Sequence, residues 1–176
     1  MKGITVDGAW AEYMVADARF VVKLPDDMEF KVVAPLMSAG ISIYGGIRRA
    51  NIPEGGSIGI IGIGGLGHIG TQLAKCMGYT VAAVDVKQQT LEAVASYKHS
   101  PDALILATDT VAESLLKIDQ MTSSKYRGLD ATVLATDHPS AFESPICLRS
   151  GCWTHTETWY NGFTGSARKG NHYVIP

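Results

Sequence analysis

The sequence is short of cysteine. Three in 176 residues, Cys76, Cys147 and Cys152, form an odd set without the spacing of a disulfide framework, which points to reduced thiols in a reducing compartment. An excess of basic charge is also missing: 15 Lys and Arg stand against 17 Asp and Glu, a net charge of −2. The cationic face that neutralises phosphate backbones is therefore absent, and nucleic acid is not an expected partner. No uninterrupted apolar run approaches the roughly 20 residues of a spanning helix, and the amino terminus lacks the apolar core of a secretory signal. The expectation is a soluble, cytoplasmic protein without a membrane partner. Phenylalanine is scarce at 4 residues while glycine is frequent at 19, with 46% of residues hydrophobic and 18% charged. That balance describes a turn-rich α/β globule with enough chain for one core.

Two β-prone runs, Trp10 to Val15 and Phe20 to Leu24, flank the polar turn Asp17-Ala18-Arg19 and predict a hairpin or sheet edge. Phe30, Val33, Met37 and Ile41 then recur at near-helical spacing. Pro35 and the glycines at 40, 45 and 46 interrupt that pattern, so two helical pieces are predicted. Beyond Asn51-Ile52-Pro53-Glu54-Gly55-Gly56 the pattern changes to short β runs, Ser57 to Ile61, Thr80 to Val84, Ala103 to Ala107 and Ala131 to Ala135. Helical stretches alternate with them, carried by Ile69, Leu73 and Met77, by Leu91 and Val94, and by Val111, Leu115 and Ile118. The β-α-β alternation predicts a doubly wound parallel sheet of the Rossmann type, with right-handed crossovers and helices on both faces. The tail from Ser150 to Pro176 carries aromatics without period and is expected to be irregular.

Gly62-Ile63-Gly64-Gly65-Leu66-Gly67 joins the first of these strands to an amphipathic helix, and the second strand ends in Asp85, eighteen residues beyond Gly67. A GxGxxG pattern alone also describes a tight surface turn; strand, loop, helix and second-strand acid together describe a dinucleotide site. Gly62 allows the turn off the strand, Gly64 lets the backbone approach a pyrophosphate, and Gly67 lets the helix pack closely on the sheet. The helix beginning near Gly65 directs its unpaired N–H groups and positive dipole end at the phosphates. Asp85 suits the adenosine ribose hydroxyls and repels a 2′-phosphate, favouring NAD over NADP, while Lys87 softens that repulsion. A methyltransferase, whose cofactor also uses a glycine loop and a second-strand acid, is an alternative. His138 follows the strand ending at Ala135, on the side where open α/β sheets bind ligands. It is the local acid/base candidate, with an exposed turn histidine before Pro139 as the other reading. Cys147, Cys152, His155 and His172 are metal-ligand types without CxxC or HxxxH spacing, so no metal site is assigned to them.

Asp7 to Tyr13, Ala34-Pro35-Leu36-Met37-Ser38-Ala39-Gly40-Ile41-Ser42-Ile43-Tyr44, the loop Gly62 to Gly67 with Gln72-Leu73-Ala74-Lys75, and Val84-Asp85 occur in an order that resembles the medium-chain dehydrogenase/reductase superfamily. The likeness is to its zinc-type alcohol dehydrogenases. It implies a remnant of a GroES-like catalytic domain over residues 1–28, linking helices over 29–50, an NAD-binding Rossmann domain over 51–149 and a tail over 150–176. It further implies that Ser42 lies beside the nicotinamide and that Leu66 packs near the nicotinamide-side phosphates. The family's amino-terminal catalytic half lies outside these residues, and Ser38 stands where zinc-type relatives carry a ligand cysteine. A serine hydroxyl is a poor ligand for Zn²⁺ beside a thiolate, so zinc is not supported. The expected function is hydride transfer between nicotinamide and an alcohol, carbonyl or enone substrate without a self-contained zinc site. The alternative is a catalytically altered or non-redox relative that keeps the scaffold for nucleotide binding, interaction or another chemistry. Apolar surface left by the missing part predicts a homo-oligomer or a partner chain.

Overall fold

The first strand, β1 (Ser57–Ile61), is buried along its whole length, as expected of a central strand covered on both faces. In the computed structural model, which describes residues 8, 10–122 and 128–141 and the backbone of Thr154–Glu157 and His172–Val174, the chain divides into two compact units, Met1–Val33 and Ala34–Pro176. The second unit is the α/β layer. β1 is followed by α3 (Gly65–Cys76), β2 (Thr80–Asp85), α4 (Gln88–Ala95), β3 (Ala103–Leu106), α5 (Val111–Met121) and β4 (Ala131–Leu134). α1 (Phe30–Pro35) and α2 (Ile41–Arg49) precede them. The strands are parallel in the order β3-β2-β1-β4, with Ile60 opposite Ala83 on one side and Val133 on the other.

Alternation along β1 divides the core between the two faces of the sheet. Ile58 and Ile60 join Ile43, Ile47, Ile69 and Leu91 in one cluster; Ile61 joins Val84, Ile105 and Ile118 in the other. α3 ends at Gly78, whose φ of +84° is the left-handed conformation that glycine adopts without a steric cost.

Three sequence expectations change. The residues predicted as a hairpin form no strand among those described; Ala18–Phe20 is a single 3₁₀ turn capped by the Asp17 carboxylate, which accepts from Arg19 N at 3.0 Å. β propensity describes fitness for a pleated, half-buried surface, and this segment is exposed. The two helical pieces are joined by a π-helical stretch, Leu36–Gly40, making one helix from Phe30 to Arg49. Pro35 removes an N–H donor, and the wider turn beyond it absorbs the interruption: Ile41 N–H donates to the Leu36 carbonyl, five residues back. The tail, expected to be irregular, contributes β5 (Thr154–Glu157) and β6 (His172–Val174), which extend the sheet in parallel beyond β4 with Val133 opposite Thr156. The open edge of β4 offers unpaired backbone groups that a strand satisfies.

The helix Phe30–Arg49 is, by length and composition, apolar enough to cross a membrane, with a hydropathy of 1.4. Its α2 half places Ile43 and Ile47 in the sheet-face core, while Phe30, Met37 and Ile41 on the same helix are exposed.

Candidate functional site

Gly62 leaves β1 with a φ of +89°, a conformation that L side chains rarely adopt. A Cβ there would also lie 2.7 Å from Cβ of Thr136. Its N–H donates to the Val84 carbonyl at 2.8 Å, and the next N–H, of Ile63, donates to Oδ2 of Asp85 at 2.7 Å. The loop is thereby fastened to the carboxyl end of β2. Oδ1 of Asp85 accepts from Lys87 N at 2.8 Å. Each carboxylate oxygen keeps acceptor capacity for one further donor, such as a ribose hydroxyl.

α3 starts from Gly64, which has no side chain to cap it. The first intrahelical bond runs from His68 N to the Gly64 carbonyl at 3.1 Å, so the N–H groups of the first turn have no partner within the helix. Gly64 and Gly65 are exposed, and a Cβ on either would meet nothing within 4 Å. Gly67 is the reverse: a Cβ there would stand 1.9 Å from the Gly62 carbonyl oxygen, so α3 runs directly over the end of β1. The result is a bare helix amino terminus with donors facing open space, a carboxylate at its side and a closely packed floor. This arrangement suits a pyrophosphate flanked by a ribose.

The predicted cofactor residues therefore meet at the carboxyl ends of β1 and β2. Leu66 is half-buried in the first turn, and Lys87 is exposed beyond Asp85. Ser42 lies half-buried on α2, four residues beyond the exposed Ser38. His138 is exposed in the segment after β4, where its N–H donates to Oγ1 of Thr136 at 3.3 Å. Among the described residues no three His, Cys, Asp or Glu side chains are grouped to hold a metal ion; Cys147 and Cys152 and the side chains of His155 and His172 lie outside them. A recess of about 340 Å³ at the amino-terminal edge of the sheet, lined in part by Ser57, Thr80 and Asp130, is at the end opposite the glycine loop. The Asp130 carboxylate there ties β4 to β1, accepting from Ser57 N at 2.7 Å and Ser57 Oγ at 2.9 Å.

Two contributors escaped the sequence reading. Gly70 lets α2 approach α3, since a Cβ there would lie 2.5 Å from Cγ1 of Ile43; its signal is the three-residue rhythm of Gly64, Gly67 and Gly70. Thr136 packs against Gly62, a contact between distant segments that leaves no local signal.

No family model matches the chain. An alcohol dehydrogenase of Geobacillus stearothermophilus is 39% identical over 145 residues, covering 81% of this chain and 40% of that protein. An alcohol dehydrogenase from Thermus sp. ATN1 superposes with a TM-score of 0.70 at 16% identity, covering 88% of this chain and 45% of that one, a likeness of fold. Acetophenone reductase from Geotrichum candidum, solved in complex with NAD, superposes with a TM-score of 0.53 at 26% identity, covering 69% and 31%. The chain thus spans less than half the length of the relatives it matches. Glycine loop, second-strand acid and sheet order agree with these likenesses: the chain is similar in sequence to an alcohol dehydrogenase over most of its length and shares the fold of alcohol dehydrogenases of the medium-chain dehydrogenase/reductase superfamily.

Proposed function

We propose that the chain binds NAD(H) at the Gly62–Gly67 loop and supplies the cofactor side of an alcohol dehydrogenase-like oxidoreductase. The observation that carries this reading is the exposed Gly64-Gly65 pair at the start of α3, open within 4 Å, beside an Asp85 carboxylate held by Ile63 N. The first-turn N–H groups would take the pyrophosphate, and Asp85 would take the adenosine ribose hydroxyls and disfavour a 2′-phosphate. The NAD complex of the acetophenone reductase supports the choice of cofactor. When bound, nicotinamide supplies the hydride donor or acceptor; Leu66 and Ser42 would help position its ring, and His138 is the proposed acid/base group.

The substrate class proposed is an alcohol, carbonyl or enone. Ser38 is exposed, and a serine hydroxyl is a poor ligand for Zn²⁺ beside a thiolate, so the reaction is proposed without a metal step on these residues. Cytoplasmic location and a homo-oligomer or partner chain are part of the same proposal.

Ser38 also favours a second reading, a non-redox relative that retains nucleotide binding. Titrating NADH while following its fluorescence, then measuring NADH consumption with a panel of aldehydes, ketones and enones, separates the two. Saturable binding with steady turnover is the expected result. Binding without turnover supports the second reading, and no binding overturns both.

A further inference from the structure

His68 lies one helical turn beyond Gly64, and its ring has a hydrogen bond separate from the helix ladder: Nδ1 lies 2.9 Å from the Gly64 carbonyl oxygen. A carbonyl oxygen only accepts, so the proton of the neutral imidazole belongs on Nδ1. The same oxygen accepts from His68 N at 3.1 Å. The half-buried ring also meets Tyr97 edge-on, with centroids 6.2 Å apart at 67°.

The bonded carbonyl belongs to the peptide unit between Gly64 and Gly65. Neither residue has a Cβ, and a Cβ on either would find no neighbour within 4 Å, so packing does little to hold this unit against rotation. The unit is planar and trans, and its N–H points opposite to its C=O. Fixing the Gly64 oxygen toward His68 therefore fixes the Gly65 N–H outward, toward the space assigned to the pyrophosphate.

We infer that His68 is a positioning residue: its Nδ1–H latches the Gly64-Gly65 peptide so that Gly65 N–H stays presented to a phosphate oxygen of the dinucleotide. The edge-on contact with Tyr97 adds a second neighbour to the imidazole. The role rests on the reading that the loop binds NAD(H), but the latch itself exists without ligand.

The test uses the whole chain. In the unliganded protein, ¹⁵N shifts of the His68 ring at a pH where it is neutral are expected to place the proton on Nδ1; a proton on Nε2 overturns the latch. Titration with NADH is expected to give about three- to tenfold weaker binding for His68→Ala, the range of one ordinary hydrogen bond. His68→Asn is expected to stay near wild type, because its Nδ2–H occupies the place of Nδ1–H. Equal affinity of His68→Ala and wild type overturns the inference, as does an equal loss in His68→Asn and His68→Ala with unchanged melting temperature. If wild type fails to bind NADH, the cofactor reading falls and the proton position decides the latch alone.

Discussion

Gly65 and Gly67 sit two residues apart in one loop, yet the same substitution acts on them in opposite ways. Gly67→Ala places a Cβ 1.9 Å from a backbone oxygen, which only a shift of α3 relieves. A loss on the order of 3 kcal/mol is expected, with a fall of roughly 6–12 °C in a thermal melt. Gly65→Ala meets open space and replaces a poor helix former, so the melt stays level or rises slightly. NADH binding is nevertheless expected to weaken about tenfold or more, because the new methyl group stands where a phosphate must approach. Asp85→Asn tests the ribose assignment. Parallel titrations are expected to show NADH bound roughly tenfold more weakly and the gap to NADPH narrowed, since the repelling charge is gone. The turn at Gly62, the close approach at Gly67 and the place of Asp85 at the end of β2 were legible because strand, glycine spacing and acid are local features in a fixed order. The bond from Ile63 N to Asp85 spans 22 residues, and no local pattern announced it.

At the scale of elements, α5 has the most explicit start signal. Thr110 Oγ1 accepts from Glu113 N at 3.3 Å, and the Glu113 carboxylate accepts from Thr110 N at 2.8 Å, a capping box. The Thr110 side-chain and backbone bonds hold the Glu113 carboxyl below its ordinary range. The Lys117 ammonium, 2.6 Å from Asp109, does the same to that carboxyl. A depressed folded-state pKa contributes stability above the unfolded value that is lost as pH falls through the folded one. Asp109→Asn is therefore expected to melt slightly below wild type at neutral pH, with the two curves converging as pH falls through the lowered pKa of Asp109; added salt shrinks the difference because the pair is partly exposed. Thr110→Ala is expected to cost about 1 kcal/mol in urea unfolding. The parallel strands and the helices between them followed from hydrophobic period. The hairpin did not form because a β-prone run still needs a neighbour to pair with, and the tail strands escaped notice because Thr154-His155-Thr156-Glu157 carries no apolar run to announce a strand.

For the whole molecule, Trp10, Tyr13, Val15, Phe20, Val22 and Phe30 each expose more than 80% of their surface, a concentration of apolar groups uncommon on a soluble monomer. Light scattering after size exclusion is expected to report an oligomer or a concentration-dependent mass, and a clean monomer across a wide concentration range counts against the proposed partner. By itself the sequence determined the α/β class, the strand–loop–helix unit, the position of the glycine loop and the acid that ends the second strand. Apolar period and glycine geometry act within a few residues and leave a local trace. Only the tertiary structure decided that Gly70 admits Ile43, that Asp85 and Val84 fasten the loop, that His68 bonds the peptide it follows, and that the tail joins the sheet. Those outcomes depend on which distant backbone and side-chain atoms come within a few ångströms, and close packing sets that after the local elements have formed.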